Sequence, residues 1–157
     1  MTDAKLLKRA QKVFDTICKS LDNMNWNYER DDDKLLVGLG VQGHDIPMAF
    51  VIVVDVERQL IRCLSRLDLK FDEENAGLGN IACCLFTYKL ADGSFDYDFM
   101  ENTVTFRITA SFLDSLISEE LVDYLIRTAC STVDEYNHHF DALAKGNMTL
   151  DELFEIK

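Results

Sequence analysis

The sequence predicts an α+β protein in which helices cover an antiparallel sheet of five strands, in the order α-βββ-α-ββ-α. Two observations predict this fold. Apolar residues recur at helical spacing near the start, the middle and the end of the chain, and alternating or β-branched segments joined by short turns fill the intervals. No repeat and no linker interrupts this order, so we expect a single domain over residues 1–157.

Composition and charge limit the function. The chain has 157 residues, of which 48% are apolar, with only one proline and seven glycines, and this excludes a disordered or collagen-like protein. Sixteen basic residues against 28 acidic ones give a net charge of −12. Such a charge repels phosphate backbones and anionic lipids, so neither nucleic acid nor a membrane surface is an expected partner.

The cysteines and the N-terminus predict a cytoplasmic protein. The five cysteines are odd in number and include no CxxC pair, which favours small buried thiols in a reducing compartment. The first residues become charged again too soon for a signal peptide. The longest apolar run, Pro47 to Val54, is much shorter than the roughly 20 residues of a spanning helix.

The first half of the chain predicts one helix and three strands. Residues 3–22 carry an apolar stripe at helical spacing, with Thr2 or Asp3 as the cap. Trp26 to Glu29 is a short extended entry to the acidic turn Asp31–Asp33. Strands are then predicted by alternation or by β-branched runs at 35–41, 48–56 and 59–67, and the glycines of the first would let another element approach closely.

The second half predicts a helix, a hairpin, a long helix and a short tail. The middle helix begins with the acidic residues 72–74 and reaches about Leu90. Gly77 and Gly79 weaken it, so we expect close packing there or a later start. The hairpin strands span 94–100 and 102–110, the last long helix runs from the Ser118 cap to about 144, and a capped tail helix follows within 148–155.

Five short patterns carry a resemblance to a known family over Trp26 to Phe154. They are Phe50 to Val56, Asn80 to Tyr88, the hairpin segments 93–97 and 103–107, the helix through 133–136, and Gly146 followed by 149–153. They resemble the YbjN-like family of bacterial sensory-transduction regulators, whose fold is similar to that of type III secretion chaperones.

The resemblance implies a noncatalytic protein, without a cofactor, that forms a homodimer and regulates or holds a protein client. The candidate contact residues lie on the middle helix and along the first hairpin strand: Leu78, Ile81, Leu85, Phe86, Phe95, Tyr97 and Phe99. Their regular spacing also fits a role in the core.

An enzyme or a metal protein is the alternative hypothesis. Asp134, His138 and Asp141 follow at helical spacing and could hold a cation or form exposed charge pairs. Asp96 and Asp98 share a strand face, as an acid–base pair does and as the wet face of an antiparallel sheet also does.

Three further motifs favour ordinary structure. The Gly77-x-Gly79-x-x-Ala82 spacing lacks the preceding strand of a dinucleotide site, and Asp31–Asp33 lacks the ligand spacing of a calcium loop. Cys83 and Cys84 have no cationic neighbour within a turn, and we expect at least one of them to face the core.

Overall fold

The computed structural model describes residues 3–157 and confirms the α+β class, with six antiparallel strands in the order β1-β2-β3-β4-β6-β5. The elements are α1 (Ala4–Asn23), β1 (Glu29–Asp31), β2 (Leu36–Val41), β3 (Met48–Asp55), β4 (Leu60–Arg66), α2 (Ala76–Lys89), β5 (Ser94–Asp98), β6 (Thr103–Ser111), α3 (Glu119–Ala144) and α4 (Leu150–Glu155).

The additional strand is β1, which the sequence pattern did not predict. Its three residues are all charged and give no alternation of apolar and polar side chains. Glu29 pairs with Gly38, and Arg30 lies on the helix side of the sheet with its guanidinium 5.2 Å from the ring centre of Phe14. A tertiary contact of a cation with an aromatic face therefore holds a strand that local propensity does not favour.

One face of the sheet carries the core. Val37, Ile52, Cys63 and Ile108 stand opposite one another on four neighbouring strands, and all four are buried. Helix α1 packs on β3, α3 packs on β3, β4 and β6, and α2 packs on β5 and α3. The helices therefore cover one face and leave the other open.

Helix α2 begins at Ala76, later than the acidic residues 72–74 at which the sequence predicts its start. The segment 72–75 forms a turn, and the Asn75 cap makes no side-chain hydrogen bond to the helix. Gly79 is buried, and a Cβ atom there would lie 2.5 Å from the Tyr97 ring, so close packing accounts for this glycine. Gly77 faces open space, as do Gly38 and Gly40: on the side where a Cβ atom would lie, no other element within residues 3–157 comes within 4 Å of these three positions.

The hairpin of β5 and β6 is antiparallel, with Phe95 opposite Phe106. Strand β5 ends at Asp98 because its carboxylate accepts the N–H groups of Met100 (2.8 Å) and Glu101 (3.2 Å) and thereby turns the chain. Phe99 consequently lies in the turn and is 64% exposed, outside the strand in which alternation places it.

The caps of α1, α3 and α4 match their sequence signals. Asp3 accepts the N–H of Lys5 and caps α1, while Thr2, the other predicted cap, lies outside the described residues. Ser118 accepts the N–H of Leu121 at the start of α3, and Thr149 forms a capping box with Glu152 at α4. Within residues 3–157, none of the helices combines the length and apolarity needed to cross a membrane.

Candidate protein-binding surface

The predicted contact residues divide between the core and the surface. Phe86 and Phe95 are buried in a cluster of aromatic rings, in which the ring centre of Phe86 lies 4.6 Å from that of Tyr136 and 5.2 Å from that of Phe140. Phe95 lies 5.2 Å from Phe106. These two side chains join α2 and β5 to α3, so they support the fold and do not reach a partner.

Helix α2 is apolar on nearly all sides, although only one side is buried. Its sequence AGLGNIACCLFTYK has Asn80, Thr87 and Lys89 as the strongly polar positions. Its buried residues face β5 and α3, while Tyr88 on the outer side is 89% exposed. We define the α2 surface as this outer side: Gly77, Leu78, Ile81, Cys84, Leu85 and Tyr88.

This arrangement departs from the pattern of a surface helix. A helix with one solvated side normally carries charged and polar residues there, whereas an apolar circumference is typical of a helix that is covered all round. Leu78 and Leu85, seven residues apart, are partly buried along one margin of this side, and Ile81 and Tyr88 lie beside them and are exposed. The α2 surface is therefore an uncovered apolar strip on an otherwise acidic protein.

The turn after β5 adds exposed apolar groups. Phe99 and Met100 are both solvent-exposed, and the ring of Phe99 lies 4.9 Å from that of Tyr97. Tyr97 is partly buried, and its ring packs at 5.8 Å from Phe71. Of the hairpin stripe, Phe95 thus serves the core, Tyr97 lies at the boundary and Phe99 faces solvent.

The open face of the sheet is mixed in character. Val51, Val53 and Leu64 form its apolar centre together with Leu36. Arginines surround this centre, and each one is matched by an acid: Arg62 with Asp55 (3.7 Å), Arg66 with Glu101 (3.9 Å) and Arg107 with Asp96 (2.8 Å).

The residues of the metal hypothesis are each engaged separately. Asp134 accepts the backbone N–H of His44 (2.7 Å), and Asp141 pairs with Lys145 (2.7 Å). His138 lies 3.8 Å from a carboxylate of the β2–β3 loop. Over residues 3–157, no three histidine, cysteine or acidic side chains converge as metal ligands.

The acid pair of β5 and the thiols also have structural roles. Asp96 pairs with Arg107, whereas Asp98 holds the turn, so the two carboxylates have different partners. Burial raises the pKa of Cys63 and of Cys83 to about 12, which leaves these thiols protonated and unreactive. Cys84 is exposed on the α2 surface, so one of the adjacent cysteines faces the core and the other faces solvent.

The fold of this chain, an antiparallel sheet with helices on one face, is similar to that of proteins in two complexes of known structure. The HopA1–SchA chaperone–effector complex matches with a TM-score of 0.54 and 12% identity, over 82% of this chain and 94% of the other. The ExsC–ExsE complex matches with a TM-score of 0.51 and 10% identity, over 85% and 93%. At such identities the likeness concerns the fold.

The chain belongs to the YbjN family, whose model, described as "putative bacterial sensory transduction regulator", matches residues 14–142. The crystal structure of YbjN from E. coli matches with a TM-score of 0.59 and 11% identity, over 80% of this chain and 92% of that one. No curated protein matches the sequence significantly. The family and the fold expected from the sequence are thus confirmed.

Proposed function

We propose that this protein is a noncatalytic protein-binding module that forms a homodimer through the α2 surface and holds or regulates a protein client. The observation that carries the proposal is the uncovered apolar side of α2. Membership in a family described as regulatory and the likeness to chaperone–effector complexes support the client. The single-domain organisation and the cytoplasmic location stay predictions.

The spacing of the α2 surface suits a helix–helix contact. Gly77, Ile81, Cys84 and Tyr88 follow at steps of 4, 3 and 4, which places them in one row along the helix. Gly77 and Cys84 are small, and a second helix can approach them closely while Ile81 and Tyr88 fill the grooves beside it. Burial of apolar area at roughly 25 cal/mol per Å² provides the driving force.

The client is expected to contact the remaining exposed apolar groups. The exposed Val51 with the partly buried Leu64 on the open sheet face, and the exposed Phe99 beyond β5, offer apolar contacts, and the protein as a whole carries a charge of −12. An amphipathic or basic segment of another protein complements both properties, since opposite potentials speed encounter and select the partner.

Light scattering coupled to size exclusion tests the dimer. The wild-type protein should elute as a dimer that dissociates on dilution, and Tyr88→Glu and Ile81→Glu should elute as folded monomers because each introduces a charge into the contact. Leu7→Glu is the matched control, since Leu7 is 42% exposed on α1, away from α2. A wild-type protein that stays monomeric at every concentration would contradict the proposed pairing.

A pull-down with the same variants tests the client. Immobilised wild-type protein should retain a specific protein from the native cell extract, and Val51→Glu should reduce that retention because it places a charge in the apolar centre of the open face. Equal retention by wild type and Val51→Glu would mean that the client binds another surface of the protein.

A further inference from the structure

The sheet divides in its middle, between β3 and β4. Their paired register runs from Asp55 opposite Leu60 to Val51 opposite Leu64 and ends there. Both strands nevertheless continue, β3 back to Met48 and β4 on to Arg66, and on their outer sides they stay paired with β2 and β6. The backbone pairing of the two central strands therefore stops before either strand ends, while each strand keeps its other neighbour.

The separation leaves backbone groups facing the gap. The N–H of Val54 donates to a carbonyl on the β2 side, so alternate residues of β3, including Ala49, point toward β4. The N–H of Leu67 donates to β6, so Arg66 points its backbone toward β3. The carbonyl of Ala49 accepts the hydroxyl of Ser65 (2.8 Å) in place of a ladder partner. The N–H of Ala49 and the backbone of Arg66 lie beyond the paired register.

A cavity of about 430 Å³ occupies this gap, which is the size range of small-ligand sites. Helix α3 closes it from behind, and Arg66 and Asp68, one charge of each sign, are exposed at its rim. Its inner wall consists of Met48, Ser65, Leu67, Val133 and Asn137.

Asn137 is the polar group of this wall that lacks a partner. It is only 2% exposed, and neither its amide nitrogen nor its amide oxygen has a hydrogen-bond partner in the described part of the chain. Buried side-chain amides are nearly always bonded to protein, water or a ligand, so the donor and the acceptor of the Asn137 amide are both available to a molecule in the cavity. The amide presents its donor and its acceptor side by side.

We propose that the gap between β3 and β4 binds an uncharged, mainly apolar molecule that carries one N–H group and one C=O group side by side. These two groups pair with the Asn137 amide. An extended peptide residue has this geometry, because its N–H and C=O point to the same side of the strand. A lactam has it within its ring. The apolar wall and the balanced rim charges favour a neutral ligand over an ion.

The site is separate from the proposed dimer contact. None of the residues that line the cavity belongs to the α2 surface. Binding should therefore be the same in wild type and in Tyr88→Glu, and failure of the dimer proposal would leave this one unaffected.

Titration followed by NMR tests the proposal with two probes, N-acetyl-leucine N-methylamide for the peptide residue and ε-caprolactam for the lactam. The side-chain amide signal of Asn137 is assigned by its absence in Asn137→Leu. We expect at least one probe to shift this signal saturably. A response to the first probe alone identifies a peptide ligand, and a response to the second alone identifies a small cyclic amide.

Three variants control the titration. Binding to Asn137→Leu is followed by the backbone amide signals of the cavity residues, whose saturable shifts should disappear in this variant. Ala49→Phe should weaken binding at least tenfold by filling the mouth of the gap. Thr132→Val, a buried polar-to-apolar change on the same helix outside the cavity, should leave it unchanged. The proposal is overturned if neither probe moves the signal, if Asn137→Leu binds both probes equally well, or if crystals soaked with the probes show only an ordered water on Asn137.

Discussion

Gly79 lies beneath the ring of Tyr97, so closely that a Cβ atom at position 79 would be 2.5 Å from Cε2 of that ring and 3.1 Å from the ring of Phe71. Through this contact α2 packs closely on β5. Gly77, two residues earlier, faces open space: outside its own helix and chain neighbours, no atom of residues 3–157 lies within 4 Å of the place where its Cβ would be. The two glycines therefore have different roles, although the sequence shows them as equivalent.

Gly79→Ala is expected to lower the free energy of unfolding by about 1–3 kcal/mol, because the Phe71 and Tyr97 rings must move to admit a methyl group. Gly77→Ala should leave it unchanged or raise it by up to about 1 kcal/mol, since alanine favours the helix and meets no neighbour. Urea denaturation of both variants measures the difference. Equal effects at the two positions would show that the packing of Gly79 does not decide its identity.

Phe86→Ala separates the core side of α2 from its outer side. The Phe86 ring is fully buried against Tyr136 and Phe140, so its removal should cost about 3–5 kcal/mol of the free energy of unfolding. Ile81→Ala should change the stability of the monomer by about 1 kcal/mol or less, because the Ile81 side chain is 37% exposed. Calorimetry at low protein concentration compares the two, and a large loss for Ile81→Ala would place that side chain in the fold.

Most of the fold could be predicted because its elements carry local signals. The apolar stripes of α1 and α3 and the caps at Ser118 and Thr149 depend only on residues that are close together in the sequence. Strand β1 could not be predicted, because it depends on pairing with β2 and on the contact between Arg30 and Phe14. The exposure of Phe99 follows from a side-chain cap at Asp98, which alternation alone does not reveal.

The cavity is a different case. The separation of β3 from β4 has no local signature, because both strands keep their alternation beyond the point where pairing ends. Asn137, however, lies four residues after Val133 and three before Phe140, within the buried stripe of α3. A polar amide at an apolar position of a helical stripe is a signal that the sequence already contains.

Acidification should destabilise the protein through His139. Burial lowers the pKa of His139 below its ordinary value of 6.5, and the positive charges of His138 and Lys89 lower this pKa further by smaller amounts. The unfolded chain therefore binds a proton at this residue before the folded chain does, and stability falls as pH decreases below about 6.5. His139→Gln should lose less stability than wild type between about pH 7.5 and pH 5.5 in urea titrations. Parallel losses in the two proteins would exclude this residue as the cause.

Thiol labelling should distinguish the adjacent cysteines of α2. Cys84 is exposed, whereas burial keeps the Cys83 thiol protonated, so a disulfide reagent should modify Cys84 first. The fast phase should disappear in Cys84→Ser and remain in Cys83→Ser. If α2 forms the dimer contact, labelling of Cys84 should also slow as the protein concentration rises, and Tyr88→Glu should remove that dependence. Labelling of Cys83 at the rate of Cys84 would contradict the observed orientation of α2.

Asn137→Leu should raise the free energy of unfolding of the ligand-free protein by about 1–3 kcal/mol, because it replaces an unpaired buried amide with an apolar group that branches at the same carbon. Such a rise would show that the fold alone does not offset the cost of removing the Asn137 amide from water. Urea denaturation of wild type and variant, without ligand, measures the effect, and Thr132→Val shows what a buried polar-to-apolar change on α3 does elsewhere. A loss of stability would mean that the Asn137 amide is already satisfied in the free protein, most simply by a resident water.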